Sequence, residues 1–187
     1  MSFSFASFFV GLASAGPPSV VTASGDVTNG TDQGEIIVDA GSGAVFAGGG
    51  NDLYLGGEGA ALVDGAAGDD LLFGGGGADT LIGAAGNDGL RGGGGADVFV
   101  LGLGPGGTGA DAGDDLIFDF SLAEDKISLS GRGLRFEDLV IQPSSPDSPG
   151  GAPVASGSLV TFAGGSVELV NVAPQSITPD VFLGLIA

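Results

Sequence analysis

Residues 65–100 read GAAGDDLLF, GGGGADTLI, GAAGNDGLR, GGGGADVFV: four rows of nine with glycine at positions one and four, aspartate at six and leucine or phenylalanine at eight. The frame runs on in both directions. Upstream lie NGTDQGEII (29–37), VDAGSGAVF (38–46), AGGGNDLYL (47–55) and GGEGAALVD (56–64). Downstream come a degenerate row, LGLGPGGTG (101–109), and a tenth in frame, ADAGDDLIF (110–118). Self-similarity at a fixed short period is the mark of a solenoid, in which each repeat buries its apolar face only against its neighbours.

Position eight is Ile36, Val45, Tyr54, Val63, Leu72, Leu81, Leu90, Phe99 and Ile117, interrupted by Thr108. Position six is Asp52, Asp70, Asp79, Asp88, Asp97 and Asp115, with Gly34, Gly43, Ala61 and Gly106 as gaps. Each row therefore supplies a glycine turn followed by a short strand with one inward side chain. Glycine permits positive φ and close backbone approach, which directs carbonyl oxygens into the turn. Carbonyls beside a carboxylate form a hard-oxygen ligand set, and calcium takes six to eight such ligands at about 2.3–2.6 Å. Aspartate also caps turns through its own backbone. Capping accounts for an aspartate after a glycine but not for its recurrence in phase.

These rows resemble the RTX nonapeptide GGxGxDxUx of secreted bacterial calcium proteins, with GGGGADTLI and GGGGADVFV as full matches. The stretches GDDLIFDFSLAEDKISLSG and VTFAGGSVELVNVAPQSITPDVFL are similar to the regions that close such arrays in serralysin-type proteases and related type I exports. The resemblance implies an all-β fold, a right-handed parallel β-roll (a solenoid of nonapeptides) closed by a C-terminal β cap. Two rows then make one coil, and turns stack on one side every eighteen residues. On that reading Asp52 stacks with Asp70, Asp70 with Asp88, Asp79 with Asp97, and Asp97 with Asp115. About four well-formed Ca2+ sites are expected, with weaker ones at the ends. The turn glycines assigned to them are Gly48, Gly50, Gly65, Gly68, Gly74, Gly75, Gly77, Gly83, Gly86, Gly92, Gly93 and Gly95. The resemblance divides the chain into an apolar N-terminal segment (1–28), the roll (29–118) and a cap with a type I secretion signal (119–187).

Composition agrees with a fold that depends on metal. Of the 187 residues 40 are glycine, and 23 acidic residues face only four basic ones, a formal net charge of -19. Carboxylates at this density repel unless cations lie between them. One inward side chain per nine residues hardly offsets the ordering of so much glycine, so binding and folding are expected to be one event. The acidic balance argues against nucleic acid and against anionic membrane surfaces. No stretch is long and apolar enough to span a bilayer. The chain lacks cysteine and histidine, which excludes a disulfide framework and every catalytic arrangement built on imidazole.

The ends read differently. Residues 3–12 (FSFASFFVGL) are apolar and alternate like a strand at their start, followed by Ala13-Ser14-Ala15, a signal-peptidase-like triplet without the usual basic n-region. They are expected to cover an apolar sheet face, in their own chain or on a neighbour. Outward positions seven and nine supply such faces: Leu53, Leu55, Leu71 and Phe73 on one sheet, and Phe46, Ile82, Val98 and Val100 on the other. Beyond the rows, strands are expected at 116–120, 126–129, 159–162 and 167–170, with a turn at 123–125 and a loop at 143–157. Thr178 before Pro179 suggests a short helix. By resemblance, the end of the chain around Asp180, Val181, Phe182 and Leu183 carries the secretion signal.

The function expected is non-enzymatic: a secreted, extracellular calcium protein that folds outside the cell and serves as a surface, matrix, biofilm or adhesion component. Association with the cell surface, type I secretion machinery as a partner, and assembly as a homo-oligomer or filament belong to the same expectation. RTX enzymes usually carry a catalytic domain before the repeats, and only 28 residues precede them here. The alternative is an accessory module binding an acidic polysaccharide through calcium, for which four basic residues are few. Glycoside hydrolysis by paired carboxylates is disfavoured because the candidate acids are assigned to metal. Glu124, Glu137 and Glu168 lie in contexts without a recognisable partner.

Overall fold

The nonapeptide period becomes a two-sheet solenoid in the computed structural model, which describes residues 18–23, 27–39, 43–101, 113–145 and 157–186. Each row has room for one glycine turn and one strand of three or more residues, so successive rows alternate between two sheets. One sheet has nine strands, in the order β1 (Ser19–Ala23), β3 (Glu35–Asp39), β5 (Leu53–Leu55), β7 (Leu71–Gly76), β9 (Gly89–Gly94), β11 (Gly113–Ile117), β15 (Gly165–Val170), β14 (Gly157–Phe162) and β13 (Val140–Pro143). The other has seven, in the order β2 (Val27–Thr31), β4 (Ala44–Gly48), β6 (Leu62–Asp64), β8 (Thr80–Ile82), β10 (Val98–Val100), β12 (Lys126–Ser128) and β16 (Phe182–Leu183). Pairing is parallel from β1 to β15 and throughout the second sheet, while β13, β14 and β15 form an antiparallel meander. The fold is thus a parallel β-roll closed by a β cap.

Position eight supplies two facing columns. Ile37, Tyr54, Leu72, Leu90, Ile117 and Leu169 are ladder partners on one sheet. Val45, Val63, Leu81, Phe99, Ile127 and Phe182 are partners on the other. All of them belong to a single apolar cluster. Burying one such side chain contributes about 1.5–3 kcal/mol. The column also contains Tyr54, whose hydroxyl donates to Asp39 Oδ2 at 3.2 Å, so its polar end has a partner inside the roll.

Two departures from the nine-residue frame matter. Ile37, not Ile36, is the inward residue of the first row, because it pairs with Tyr54 only seventeen positions on. A one-residue slip sends every side chain to the opposite face, and Ile36 accordingly joins a second, outer cluster with Leu53, Leu71, Phe73, Leu116, Phe118 and Val170. In that cluster Leu71 and Leu116 are buried on the outward face; their strands flank Gly89, which offers no side chain between them. Leu55 stays exposed, and on the other sheet Ile82 is buried while Phe46, Val98 and Val100 are half-buried. The second departure is a longer step after row eight: Leu90 pairs with Ile117, twenty-seven positions on, and Phe99 with Ile127, twenty-eight positions on.

At the C-terminal end, Arg132 donates to the carbonyls of Leu101 (3.1 Å) and Ala163 (2.7 Å) and lies over the Phe162 ring. It thereby fastens the cap to the last coil. The short helix expected after Thr178 is a single 3-10 turn, Pro179–Val181, with the Thr178 hydroxyl bonded to the Asp180 side chain. Residues 3–12, most of row nine and residues 146–156 lie outside the described residues. Among the described residues no helix is long and apolar enough to cross a membrane.

Candidate metal centres

The six aspartates of position six are each buried, with Asp52, Asp70 and Asp88 fully so. They form two files, one along each turn edge of the roll. On the first edge, before the nine-stranded sheet, each Oδ1 accepts the backbone N–H one coil below. Glu35 N donates to Asp52 Oδ1 (2.7 Å), Asp52 N to Asp70 (2.8 Å), Asp70 N to Asp88 (2.8 Å) and Asp88 N to Asp115 (3.0 Å). On the second edge Ala61 N donates to Asp79 Oδ1 (2.8 Å), Asp79 N to Asp97 (2.9 Å) and Asp97 N to Asp125 (3.0 Å).

The expected stack of Asp97 with Asp115 is therefore corrected. Asp115 stands above Asp88 on the first edge, because the ladder steps twenty-seven residues there instead of eighteen, which shifts the tenth row by half a coil. Asp125 takes the place above Asp97. The Asp52–Asp70, Asp70–Asp88 and Asp79–Asp97 stacks form as the spacing implies, and Asp88–Asp115 is the fourth pair among the position-six aspartates.

One oxygen of each aspartate is used in this way; the other shows what the turn is for. Oδ2 of Asp52, Asp70, Asp79 and Asp88 is buried without a hydrogen-bond partner. These four are the lower members of the four pairs. A buried carboxylate oxygen left unpaired is costly, about 1–3 kcal/mol or more for a charged group. Burial, the largest cause, pushes Asp52 up to about 7, Asp88 to about 8 and Asp97 to about 6, against partial relief from the backbone N–H bonds. Asp70 and Asp115 are raised well above the usual range, by burial and then by the neighbouring Asp88. Asp79 is raised by burial as well. Four carboxylates in this state call for a cation.

The glycines divide into two roles. Gly48, Gly75 and Gly93 at position two, and Gly50, Gly68, Gly77, Gly86 and Gly95 at position four, all have φ between +99° and +137°. The first glycine of each row leaves room instead. A Cβ at Gly65, Gly74, Gly83 or Gly92 would stand 2.1–2.4 Å from Oδ2 of Asp70, Asp79, Asp88 or Asp97 in the same row. The carbonyl oxygens of Gly83 and Gly92 also approach the Gly65 and Gly74 positions, at 3.1 and 2.7 Å. Carboxylate and carbonyl oxygens thus converge on a space that only glycine keeps open. Among the described residues no three carboxylates gather into one cluster; the donor set is aspartate pairs supplemented by backbone carbonyls, which suits a hard cation with many oxygen ligands.

The ends of both files are closed by residues that the row pattern does not mark. Glu35 occupies the slot below Asp52 but spends its two oxygens on the Thr31 amide (3.1 Å) and hydroxyl. Asp125 accepts from Asp97 N and from Ser121 N (2.8 Å). Asp119 accepts from the Gly92 and Gly93 amides, both at 3.0 Å, and pairs with Arg91 at 3.2 Å. A carboxylate at the start of a row's turn is legible for Asp119 only once the fold is known, since it lies 27 residues from Gly92. Of the remaining acids, Glu124 is exposed and Glu137 is exposed beside Arg135. Glu168 is fully buried on β15 with both oxygens unpaired.

Residues 55–90 and 73–105 match the RTX calcium-binding nonapeptide repeat, in four copies. No curated protein matches the sequence. Among solved structures, a subunit of the Azotobacter vinelandii mannuronan C5-epimerase is similar over 89% of this chain and 92% of its own, at 25% identity and a TM-score of 0.43. A second subunit of that enzyme gives 25% identity and a TM-score of 0.38, over 90% and 86%. The extracellular lipase LipA of Serratia marcescens gives 15% identity and a TM-score of 0.46, over 90% of this chain and 40% of the lipase.

Proposed function

We propose, starting from the RTX calcium-binding nonapeptide repeats that this chain carries, that it is a non-enzymatic extracellular protein that is exported unfolded and folds when it meets calcium. The observation that carries this reading is the set of four buried, unpaired aspartate oxygens, each on the lower member of a stacked position-six pair. Asp52, Asp70, Asp79, Asp88, Asp97 and Asp115 hold the ions, with the row-opening glycines keeping the space and the position-two and position-four glycines shaping the turns. When bound, calcium supplies the positive charge that lets these carboxylates ionise in a buried file.

The C-terminal segment acts as the type I secretion signal and the folded roll as a surface or matrix component. Within the described residues three of the four cationic side chains make contacts within the fold, which supports this reading over a polysaccharide-binding groove. Arg91 pairs with Asp119, Arg132 holds the cap, and Arg135 lies beside Glu137. Circular dichroism and light scattering during calcium titration of chelator-treated protein test the proposal. A cooperative rise of β signal at about 0.1–1 mM, the range of extracellular calcium modules, is expected. Growth of particle size in step with it would identify a calcium-driven assembly, and a chain already folded in chelator and indifferent to calcium would overturn the reading.

A further inference from the structure

We propose that the two turn edges form two unequal classes of calcium site, and that the first edge loads first because a second side-chain ladder holds its turns in place. This rests on the calcium reading above. The ladder lies at position five. Asp69 N donates to Asn51 Oδ1 (3.1 Å), Asn87 N to Asp69 Oδ1 (2.9 Å) and Asp114 N to Asn87 Oδ1 (3.0 Å). The Asn87 side-chain amide adds a bond to Asp69 Oδ1 at 3.3 Å, and the Ser166 hydroxyl ends the file on Asp114 Oδ1 at 2.7 Å. On the second edge position five is Ala60, Ala78 and Ala96, which offer no acceptor.

The direction of these bonds matters. At position six the lower coil's amide donates to the upper coil's carboxylate; at position five the upper coil's amide donates to the lower coil's side chain. Backbone bonds and the position-six bonds link successive turns on both edges, and a first-edge turn carries in addition a position-five side-chain bond in the opposite direction, which a second-edge turn lacks. Ordering a glycine turn is what costs entropy on binding, so a turn already held binds more tightly. The ladder also brings charge, since Asp69 acts on Asp70 and Asp88, and Asp114 acts on Asp115. Affinity at oxygen-ligand calcium sites rises with ligand charge and rigidity. Both effects favour the same edge. That edge also holds three of the four aspartate pairs, leaving Asp79–Asp97 on the other, because both Asp125 oxygens are engaged by amides.

Calorimetric calcium titration of the full chain tests this, at a pH above the value of about 8 of Asp88 so that protons do not compete. Two classes are expected, the tighter holding more ions. Asn87→Ala should weaken the tight class by about tenfold, the loss of one or two hydrogen bonds, and leave the weak class in place. Asn87→Asp, which keeps Oδ1 for the Asp114 amide but replaces the amide donor facing Asp69 with a second carboxylate, should restore it in part. Ala78→Asn builds one rung of the missing ladder and should strengthen the weak class; Ala78 is exposed, so the added amide has room. A single class in the unmodified chain, equal weakening of both classes by Asn87→Ala, or a weak class unmoved by Ala78→Asn would overturn the inference while leaving calcium binding intact. If Asn87→Ala fails to fold, Ala78→Asn decides. A chain with no calcium response would overturn the underlying reading and this inference with it.

Discussion

Position two of the repeat places the backbone in the left-handed region, and two rows meet that demand with alanine. Ala66 and Ala84 stand at φ +67° and +73°, where Gly48, Gly75 and Gly93 stand at +99° to +106°. An L side chain pays about 1 kcal/mol or more for this conformation. Ala66→Gly and Ala84→Gly are therefore each expected to stabilise the folded roll by about 0.5–1 kcal/mol, net of glycine's greater freedom when unfolded. Urea unfolding at fixed calcium reads this directly, and an unchanged midpoint would refute it. Position one behaves in the opposite way. Gly83→Ala would put a methyl group 2.3 Å from Asp88 Oδ2, so this variant should lose calcium from the neighbouring site, seen as a lower stoichiometry. Both positions read as "glycine" in the repeat. Only coordinates separate a glycine required by φ from one required by space.

Among the elements, β15 joins the roll to its cap, pairing in parallel with β11 and antiparallel with β14. Glu168 sits in its middle, opposite Leu116 and Leu159, fully buried, with both oxygens unpaired. Burial raises its carboxyl, and the nearby Ser144 hydroxyl offsets this only in part. A folded-state value above the unfolded one means stability that is present at low pH and lost as pH rises. Glu168→Gln should accordingly stabilise the cap near pH 8, where the native carboxyl has to ionise or stay protonated against solvent in its buried site, and only slightly near pH 4. Thermal melts at both pH values, in saturating calcium, would show it; a gain of equal size at both would mean that ionisation is not the cause. The strands around Glu168 were readable from alternation at 159–162 and 167–170. Their attachment to β11 was not, because β11 and β15 are brought together across a stretch of chain that no row frame spans. The same blindness affected the tenth row: counting in nines sets Asp115 over Asp97, whereas a twenty-seven-residue step sets it over Asp88.

At the scale of the whole molecule, the two files of aspartate make folding a balance among protons, calcium and charge repulsion. The chain carries a formal net charge of -19, and without cations its position-six carboxylates are the groups most opposed to ionisation in the folded state. The sign is the same for each. Asp52, Asp88 and Asp97 titrate at about 7, 8 and 6 when folded, against 3.8 for an unperturbed aspartate. The folded state thus binds protons more tightly, and its proton-linked stability is fully present below about pH 4 and lost as pH rises to about 8. Chelator-treated protein should gain β signal on acidification from about pH 8 to pH 5. The calcium needed for half-folding should fall over the same interval, since protons, like calcium, neutralise the buried carboxylates that oppose folding. A calcium midpoint independent of pH between 6 and 8 would contradict this.

What the sequence determined by itself was periodic. Glycine at one, two and four, aspartate at six and an apolar residue at eight suffice for a parallel roll, its core column and its ligand type, because every repeat faces the same local geometry and each contact recurs at a constant spacing. What tertiary structure alone decided was the set of contacts without that spacing. These are the inward turn of Ile37 after a seventeen-residue step, the capping of the files by Glu35 and Asp125, and the placement of Asp115. The position-five ladder belongs with them. Its alternation of asparagine and aspartate is visible in the rows, but it becomes a ladder only when stacking brings residues eighteen and twenty-seven positions apart within hydrogen-bonding distance.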